Sequence, residues 1–332
     1  MKIRLGTFNL FQFVQPPYSW YTKKDKFNKE QWLEKTIWIK KQIINMDCDI
    51  IGFQEVFSHE ALKDLLKEIG FNYFQIVDVA KLSQNNNLTF LTTTVAIASK
   101  YPIIDIQKVE LHTSSIKQYN FEDKFKFSRI PIKATILLAN KKELLVYVCH
   151  LKSNRNNEFE YIFNKTHTLD HKKELVSKLL KNKNTESLKQ RLCEASTLFF
   201  DIQKSQDKPT ILLSDLNDKE FSITIDALSN KMYHNNSKDG LILYDASYEY
   251  KQNIYNPHPE AKEIKRDSTS YFLGKGNVLD YIFISNHFHK ENKHNIGEVS
   301  KYIVLDDHLK ENKDGSLLKS DHAQVVCELT FK

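Results

Sequence analysis

Apolar and polar positions follow two rhythms along this 332-residue chain. Short apolar runs, several alternating with period two, predict β-strands at "IRLGTFNLFQ", "DIIGFQEV", "TTVAIAS", "SRIPIKATILL", "LLVYVCHLK", "TILLSDLN", "VLDYIFIS" and "AQVVCEL". Helical spacing takes over between some of them. Residues 30–47 place Trp32, Ile39, Ile43 and Met46 on one side, with Leu33, Ile37 and Ile44 beside them. "SHEALKDLLKEIG" reads as a helix with Ser58 as N-cap and Gly70 as its stop. Residues 186–204 keep Leu188, Leu192, Ala195, Phe199 and Ile202 in register. No Pro- or Gly-rich linker divides the chain and no repeat is visible, so one domain is expected over residues 1–332. Three polar stretches interrupt the pattern: 153–187, 229–268 with a Pro-His-Pro element at 257–259, and 286–319. They are long for structureless loops, so they should carry short elements or rim a site.

Composition adds limits. Hydrophobic residues make up 41% and charged residues 27%, which suits a soluble globular protein. A net charge of +6 is compatible with anionic partners without establishing them. Cys48, Cys149, Cys193 and Cys327 are widely spaced, so buried free thiols are expected and neither a zinc site nor a disulfide framework. No apolar run of membrane-spanning length and no signal-peptide pattern is visible, which gives a cytoplasmic expectation. There is no aromatic-basic RNA signature and no polybasic juxtamembrane run.

The candidate chemistry lies where the strands end. Asn9 ends "LGTFN", Glu55 ends "DIIGFQE", His150 ends "LLVYVCH" and Asp215 ends "TILLSD". Asp280 and His322 show the mirror order, standing before their apolar runs. Alone, the Asp215–Asn217 triplet reads as a turn, since Asp and Asn start turns. If the first four strands run antiparallel to the last two, all six groups reach one edge. Strand–helix alternation by itself would suggest a parallel βαβ sheet, and the mirror placement leans against it. Carboxylates and an amide without a Cys pair suggest a hard, oxygen-preferring cation such as Mg²⁺ or Mn²⁺. With two imidazoles they suit hydrolysis of a phosphoester.

Eight motifs then come in order: "TFN" at 7–9, "FQEV" at 53–56, "VAIAS" at 95–99, "FSR" at 127–129, "HLKS" at 150–153, "SDLND" at 214–218, "LDYIFIS" at 279–285 and "SDHAQV" at 320–325. In these the chain resembles the endonuclease/exonuclease/phosphatase family, whose members include pancreatic deoxyribonuclease. The resemblance implies an α/β (α+β) four-layer sandwich, with two mainly antiparallel sheets face to face and helices outside. It makes Glu55 the principal metal ligand, with Asn9 beside the metal or the scissile phosphate and Asp321 a metal-side carboxylate. His150 contacts the phosphoryl oxygen, Asp215 orients or deprotonates water, and Asn217 holds the phosphate. Asp280 orients the catalytic imidazole of His322. Arg129 is a candidate phosphate contact. Two departures are Ser214, where the family often has Gly, and Ile130, where it often has Pro.

The expected activity is Mg²⁺- or Mn²⁺-dependent phosphodiester hydrolysis by a monomer, with nucleic acid favoured as substrate. A phosphoinositide- or sphingomyelin-type headgroup hydrolase is the second reading, and a catalytically silent binding protein on the same fold the third. Residues 152–191 carry ten basic against five acidic side chains, a net +5, and could form a basic rim for a polyanion, with Lys172 and Lys173 central to it. Arg191 could anchor that insert or serve the site, and Lys152 reads as solvated. His167, His171, His258, His287 and His289 read as surface residues.

Overall fold

The computed structural model describes residues 1–121, 124–154, 162–181, 185–234, 240–272, and 274–311 with 318–332, apart from 254–265. Two six-stranded sheets form its centre. The first runs β15 (Gly297–Leu305), β16 (Gln324–Phe331), β1 (Lys2–Phe13), β3 (Ile50–Val56), β6 (Thr94–Ser99), β4 (Tyr73–Gln75). The second runs β11 (Leu243–Asp245), β14 (Asp280–Ser285), β10 (Thr210–Asp215), β9 (Glu143–His150), β8 (Ile132–Leu137), β7 (Ile103–Lys108). Two small pairs complete the strands: β2 (Ser19–Trp20) with β5 (Thr89–Phe90), and β12 (Ser270–Phe272) with β13 (Lys275–Asn277).

The predicted strands form because their apolar residues can be buried on both faces. Ile3, Leu5, Ile50 and Val325 of the first sheet meet Val146, Val148, Leu213 and Ile282 of the second in a dry central layer. Gly52 marks the close approach of the sheets. A Cβ there would lie 2.9 Å from Leu213 Cβ and from a Val148 methyl, so a side chain would overpack at a cost of about 1–3 kcal/mol.

The outer face of the first sheet is covered by α1 (Lys29–Met46) and α2 (His59–Glu68). The second is covered by α3 (Thr113–Gln118), α4 (Leu169–Leu179), α5 (Glu186–Lys204) and α6 (Ile223–Ser229). Further helices, α7 (Ala246–Asn253) and α8 (Asp307–Glu311), stand in the polar stretches. The four-layer sandwich expected from the resemblance is therefore the architecture observed.

Topology settles the question that strand order along the chain left open. β1 pairs with β3, and β10 with β9, in parallel. β16 is antiparallel to β1, and β14 to β10. The ends of β1, β3, β9 and β10 thus share one edge with the starts of β14 and β16.

Several local expectations are corrected. α1 buries Lys35, Ile39, Ile43 and Met46, while Leu33, Ile37 and Ile44 are 60%, 59% and 57% exposed. A lysine therefore occupies a position in the buried stripe, and three aliphatic residues face outward. Ser58 stands at the N-cap of α2, but its hydroxyl accepts the Gln15 N–H at 2.8 Å instead of capping the helix. Gly70 ends the segment as expected, at φ +93°, where glycine has no Cβ penalty. The strand expected from Ser128 begins only at Ile132, after Pro131, which has no N–H for the ladder. The charged stretch 286–319 hides a nine-residue edge strand, β15, whose Glu298 and Lys301 face water.

Candidate active site

The shared edge gathers the strand-end residues. Asp215 is fully buried at the end of β10. One carboxylate oxygen accepts the Asn9 side-chain amide at 2.9 Å and the other accepts the Asn217 N–H at 2.8 Å. His150 Nε2 lies 3.3 Å from the first oxygen, and His322 Nδ1 lies 4.0 Å from it. His322 Nδ1 is 2.8 Å from Asp280 Oδ2. Asp215, Asp280 and His322 form a group whose ligand-type atoms lie within 4.8 Å of one another.

Local backbone builds this cluster. β1 changes register between Asn9 and Phe13, with Phe11 and Gln12 at φ +49° and +61°. That bulge aims the Gln12 N–H at Glu55 Oε2, 2.9 Å away. Glu55 itself has φ +57° and Asn217 φ +50°, a left-handed conformation uncommon for such residues and frequent at functional sites. Ser320, quoted above only as part of a motif, and Thr269 set the imidazole. Ser320 Oγ donates to the Asn9 carbonyl at 2.6 Å and accepts the His322 N–H at 3.0 Å. Thr269 Oγ1 accepts the N–H groups of Leu279 and Asp280 at 2.9 and 3.1 Å.

The electrostatics divide the two histidines. Burial works against charge on His322, but Asp280, Asp215 and Asp321 outweigh it and hold the imidazole well above its ordinary pKa. Burial, with Arg129 and His322 adding to it, drives His150 well below its ordinary value. His150 is therefore the neutral ring, and its buried Nδ1 has no partner among the described residues. Burial raises Asp215 to about 7, with Asp280 adding to the rise and with His322, Asn9 and Asn217 opposing it. Glu55 is raised by burial and then by Asp321, against the pull of Arg129, His322 and the Gln12 amide.

The eight site residues outside Arg129 do not all stand alike. Asn9, His150, Asp215, Asn217, Asp280 and His322 are joined by direct contacts, whereas Glu55 stands apart with the Gln12 amide. Asp321 is about half open to solvent and reaches His322 Nε2 only at 3.9 Å. The Asn9 amide is used at both ends, its oxygen accepting the Phe11 N–H at 2.9 Å. Arg129 donates to the Leu151 carbonyl at 3.2 Å, and the Asn217 amide donates to the same oxygen at 3.0 Å.

Lys35 is the charged neighbour that the sequence reading passed over. Its ammonium lies 5.8 Å from the Phe11 ring centre and 5.3 Å from that of Phe27. Burial lowers its pKa to about 7, with Glu55 and Asp321 pulling the other way. A lysine spaced four and eight residues before Ile39 and Ile43 was the available signal.

The polar stretches are more tied down than a basic rim requires. Lys172 is buried, 2.8 Å from Asp226 and over the Phe163 ring. Lys173 donates to the Met232 carbonyl. These two lysines fasten α4 to the α6 region, which corrects their reading as substrate contacts. Arg191 is buried against Asp218 at 3.2 Å, and Lys152 is half-buried. His289 is a correction too, since it stacks on Tyr244 at 3.9 Å and pairs with Glu249 at 2.9 Å. His258, the 257–259 element, Arg155, Glu158, Glu160 and Lys183 lie outside the described residues. The four cysteines are free and buried, as expected. Among the described residues no helix is long and apolar enough to cross a membrane.

No protein-family model and no curated protein matches this chain. Solved structures do. The human Nocturnin catalytic domain with bound sulfate anion aligns with a TM-score of 0.58 at 16% identity, over 100% of this chain and 94% of that one. An endonuclease/exonuclease/phosphatase family protein from Bacteroides thetaiotaomicron aligns at 0.54 and 15% identity, over 100% and 98%. The chain has the endonuclease/exonuclease/phosphatase fold. A humanized D. rerio TDP2 shares that fold with it at a TM-score of 0.56 and 10% identity, over 99% of both chains. The resemblance read from the eight motifs is thus met by the fold over the whole length. At such identities the likeness carries the endonuclease/exonuclease/phosphatase fold, and the chemistry rests on the residues themselves.

Proposed function

We propose that this protein is a divalent-metal-dependent hydrolase of phosphate esters, acting as a nuclease-like phosphodiesterase. One observation carries the reading: Asn9, His150, Asp215, Asp280 and His322, from five separate strand ends, meet in a single buried network centred on Asp215. Isolated turns would have no reason to converge in this way.

The donor set fits a hard cation. Glu55 and Asp321 bring two carboxylates near each other, and Asp321 raises the pKa of Glu55, a repulsion that a cation relieves. These two residues would hold Mg²⁺ or Mn²⁺, which supplies Lewis-acid stabilisation of phosphoryl charge when bound. The rest of the chemistry belongs to the chain. Asp215, with a pKa raised to about 7, is matched to taking a proton from water at neutral pH as the water oxygen attacks phosphorus. The bond from phosphorus to the leaving oxygen breaks as the new one forms. His322, held as imidazolium by Asp280, offers its Nε2–H to the developing oxygen charge. Neutral His150 and the Asn217 loop hold the phosphoryl group from the second sheet.

A headgroup phosphoester is the second reading, because the Lys172 ammonium proposed for a polyanion rim is spent on Asp226. The test is a panel in Mg²⁺ with plasmid DNA, RNA, abasic DNA, phosphoinositides, sphingomyelin and an aryl phosphodiester. Chelator-sensitive hydrolysis of at least one member is expected. Inactivity on all of them, with Mg²⁺ bound, would favour the silent binding protein.

A further inference from the structure

α5 carries a buried carboxylate that the hydrolytic chemistry does not use. Glu194 is 1% exposed on the helix face turned toward the second sheet. Its Oε1 accepts the Ser128 N–H at 2.7 Å, and its Oε2 accepts the Lys152 N–H at 2.7 Å. Gln190, one turn earlier, also donates to Oε1 at 2.9 Å. Bonds of this length to an ionised acceptor are the strong, charge-assisted kind.

The two amides belong to the two segments that bring in the phosphate-side groups. Ser128 precedes Arg129 in the run leading to β8, and Lys152 follows His150 at the end of β9. β8 and β9 are antiparallel, with Ile132 opposite Val148, so both segments leave the sheet at the active edge. Arg191, three residues before Glu194, grips the same place from the other side. Its NH1 donates to the Lys152 carbonyl at 3.2 Å, and its Nε donates to Asp218 at 3.2 Å. Both backbone polar groups of Lys152 are therefore fixed by side chains one helical turn apart. The preceding carbonyl, Leu151, receives Arg129 and Asn217. Asp218, in turn, is held by the Thr224 hydroxyl at 2.6 Å.

A second carboxylate on α5 shows what a merely structural tie looks like. Asp201, two turns later, accepts the Tyr147 hydroxyl at 2.7 Å and the Lys133 ammonium at 3.0 Å, both inside regular strands, and the Glu110 N–H at 3.1 Å just past β7, next to no residue assigned to the site. Strands already have their ladders. The Ser128 and Lys152 segments lie beyond the ladders, and Glu194 supplies the fixed acceptors they would otherwise lack.

We infer that Glu194, with Arg191, is a positioning residue for phosphoester hydrolysis, clamping the Ser128–Arg129 and His150–Lys152 segments so that Arg129, His150 and Asn217 converge on one phosphoryl group. This rests on the hydrolase reading above. It assigns α5 a role in transition-state geometry, since small displacements of positioned groups are costly to rate and need not weaken substrate binding.

The experiment compares wild type with Glu194→Gln in steady-state hydrolysis of an aryl phosphodiester in Mg²⁺, together with amide ¹H–¹⁵N spectra. Gln keeps the shape but removes the charge and turns one acceptor into a donor. The expected result is a kcat about 10–100-fold lower with KM within about threefold, as misplaced catalytic groups produce. The Ser128 and Lys152 amide protons, at low field in wild type, should move upfield. Unchanged kcat, or a loss of kcat with both amide signals in place, would overturn the clamp. Should Glu194→Gln fail to fold, Arg191→Lys carries the same test through kcat and the amide signal of Ser153, which shares a peptide unit with the Lys152 carbonyl: a lower kcat with a shifted signal supports the clamp, and an unchanged kcat, or a lower one with the signal in place, overturns it. Wild type inactive on the whole substrate panel would remove the hydrolase reading and this inference together. An active wild type with an unaffected Glu194→Gln removes this inference alone.

Discussion

Asp280→Asn is the sharpest perturbation of the site, because it changes charge and almost nothing else. Asn can keep its oxygen toward His322 Nδ1, at the 2.8 Å now spanned by the carboxylate. Its new NH₂ would occupy the place of Oδ1, which is buried without a partner among the described residues. What disappears is the largest of the charges that keep His322 protonated against the cost of burial. Removing one member of a buried ion pair costs about 3–5 kcal/mol when the other is left charged. His322 can instead give up its proton, so the stability loss should fall below that range while the catalytic loss is large. Loss of a positioned imidazolium should lower kcat by about 10³–10⁴, the scale of acid–base and tautomer effects. The folded-state pKa of His322 lies above its ordinary 6.5. Its contribution to stability is therefore complete below that pH and is lost as the pH rises through the folded value. The stability gap between wild type and Asp280→Asn should accordingly be widest at acid pH and close above the folded pKa. The assay is single-turnover hydrolysis by Asp280→Asn, His322→Ala and the double variant, with denaturant melts across pH. If the two residues act as a unit, the double variant loses no more than about tenfold beyond the worse single one. A double loss equal to the product of the single losses would refute the coupling.

Three further outcomes are expected. Glu55→Gln should weaken Mn²⁺ binding by calorimetry by at least about tenfold while leaving the melting temperature within a few degrees, whereas a collapse of the fold with unchanged metal binding would make Glu55 structural. Burial holds the Lys35 pKa at about 7 against 10.5 when unfolded, so the folded state binds fewer protons than the unfolded state between those values. In chelator, wild type should thus gain on the order of 2 kcal/mol relative to Lys35→Met between pH 7 and 9, and parallel stability curves would contradict the burial of an ionisable Lys35. Lys172→Glu should destabilise the protein by about 3–5 kcal/mol through the Asp226 contact, measured by urea melts, and an unaltered midpoint would return Lys172 to the solvated rim.

Much of the site was legible because each of its residues ends or begins an apolar strand. Burial of both strand faces is written locally, in the run of side chains, and so is the point at which the run stops. That is why Asn9, Glu55, His150, Asp215, Asp280 and His322 stood out, and why the helix at Glu186–Lys204 was placed to the residue. The order of the motifs also named the fold. Other features had no local signature. Nothing near Lys35 says that α1 will turn it inward and leave Ile37 and Ile44 in water, since that depends on how the helix lies on the first sheet. Lys172 and Lys173 read as part of a basic rim until α4 met Asp226 and Met232, which lie more than fifty residues away. β15 was masked by its charged neighbours, because an edge strand needs only one partner and tolerates exposed lysine and glutamate. Glu194, Thr269 and, in its bond to the Asn9 carbonyl, Ser320 serve backbone groups that packing brings close. The sequence by itself determined the apolar core strands, the helices α1, α2 and α5, and which polar groups stand at the strand ends, because those follow from side-chain periodicity. Tertiary structure alone decided which charges are buried, which are paired and which backbone amides they hold, because each contact joins residues that only packing makes neighbours.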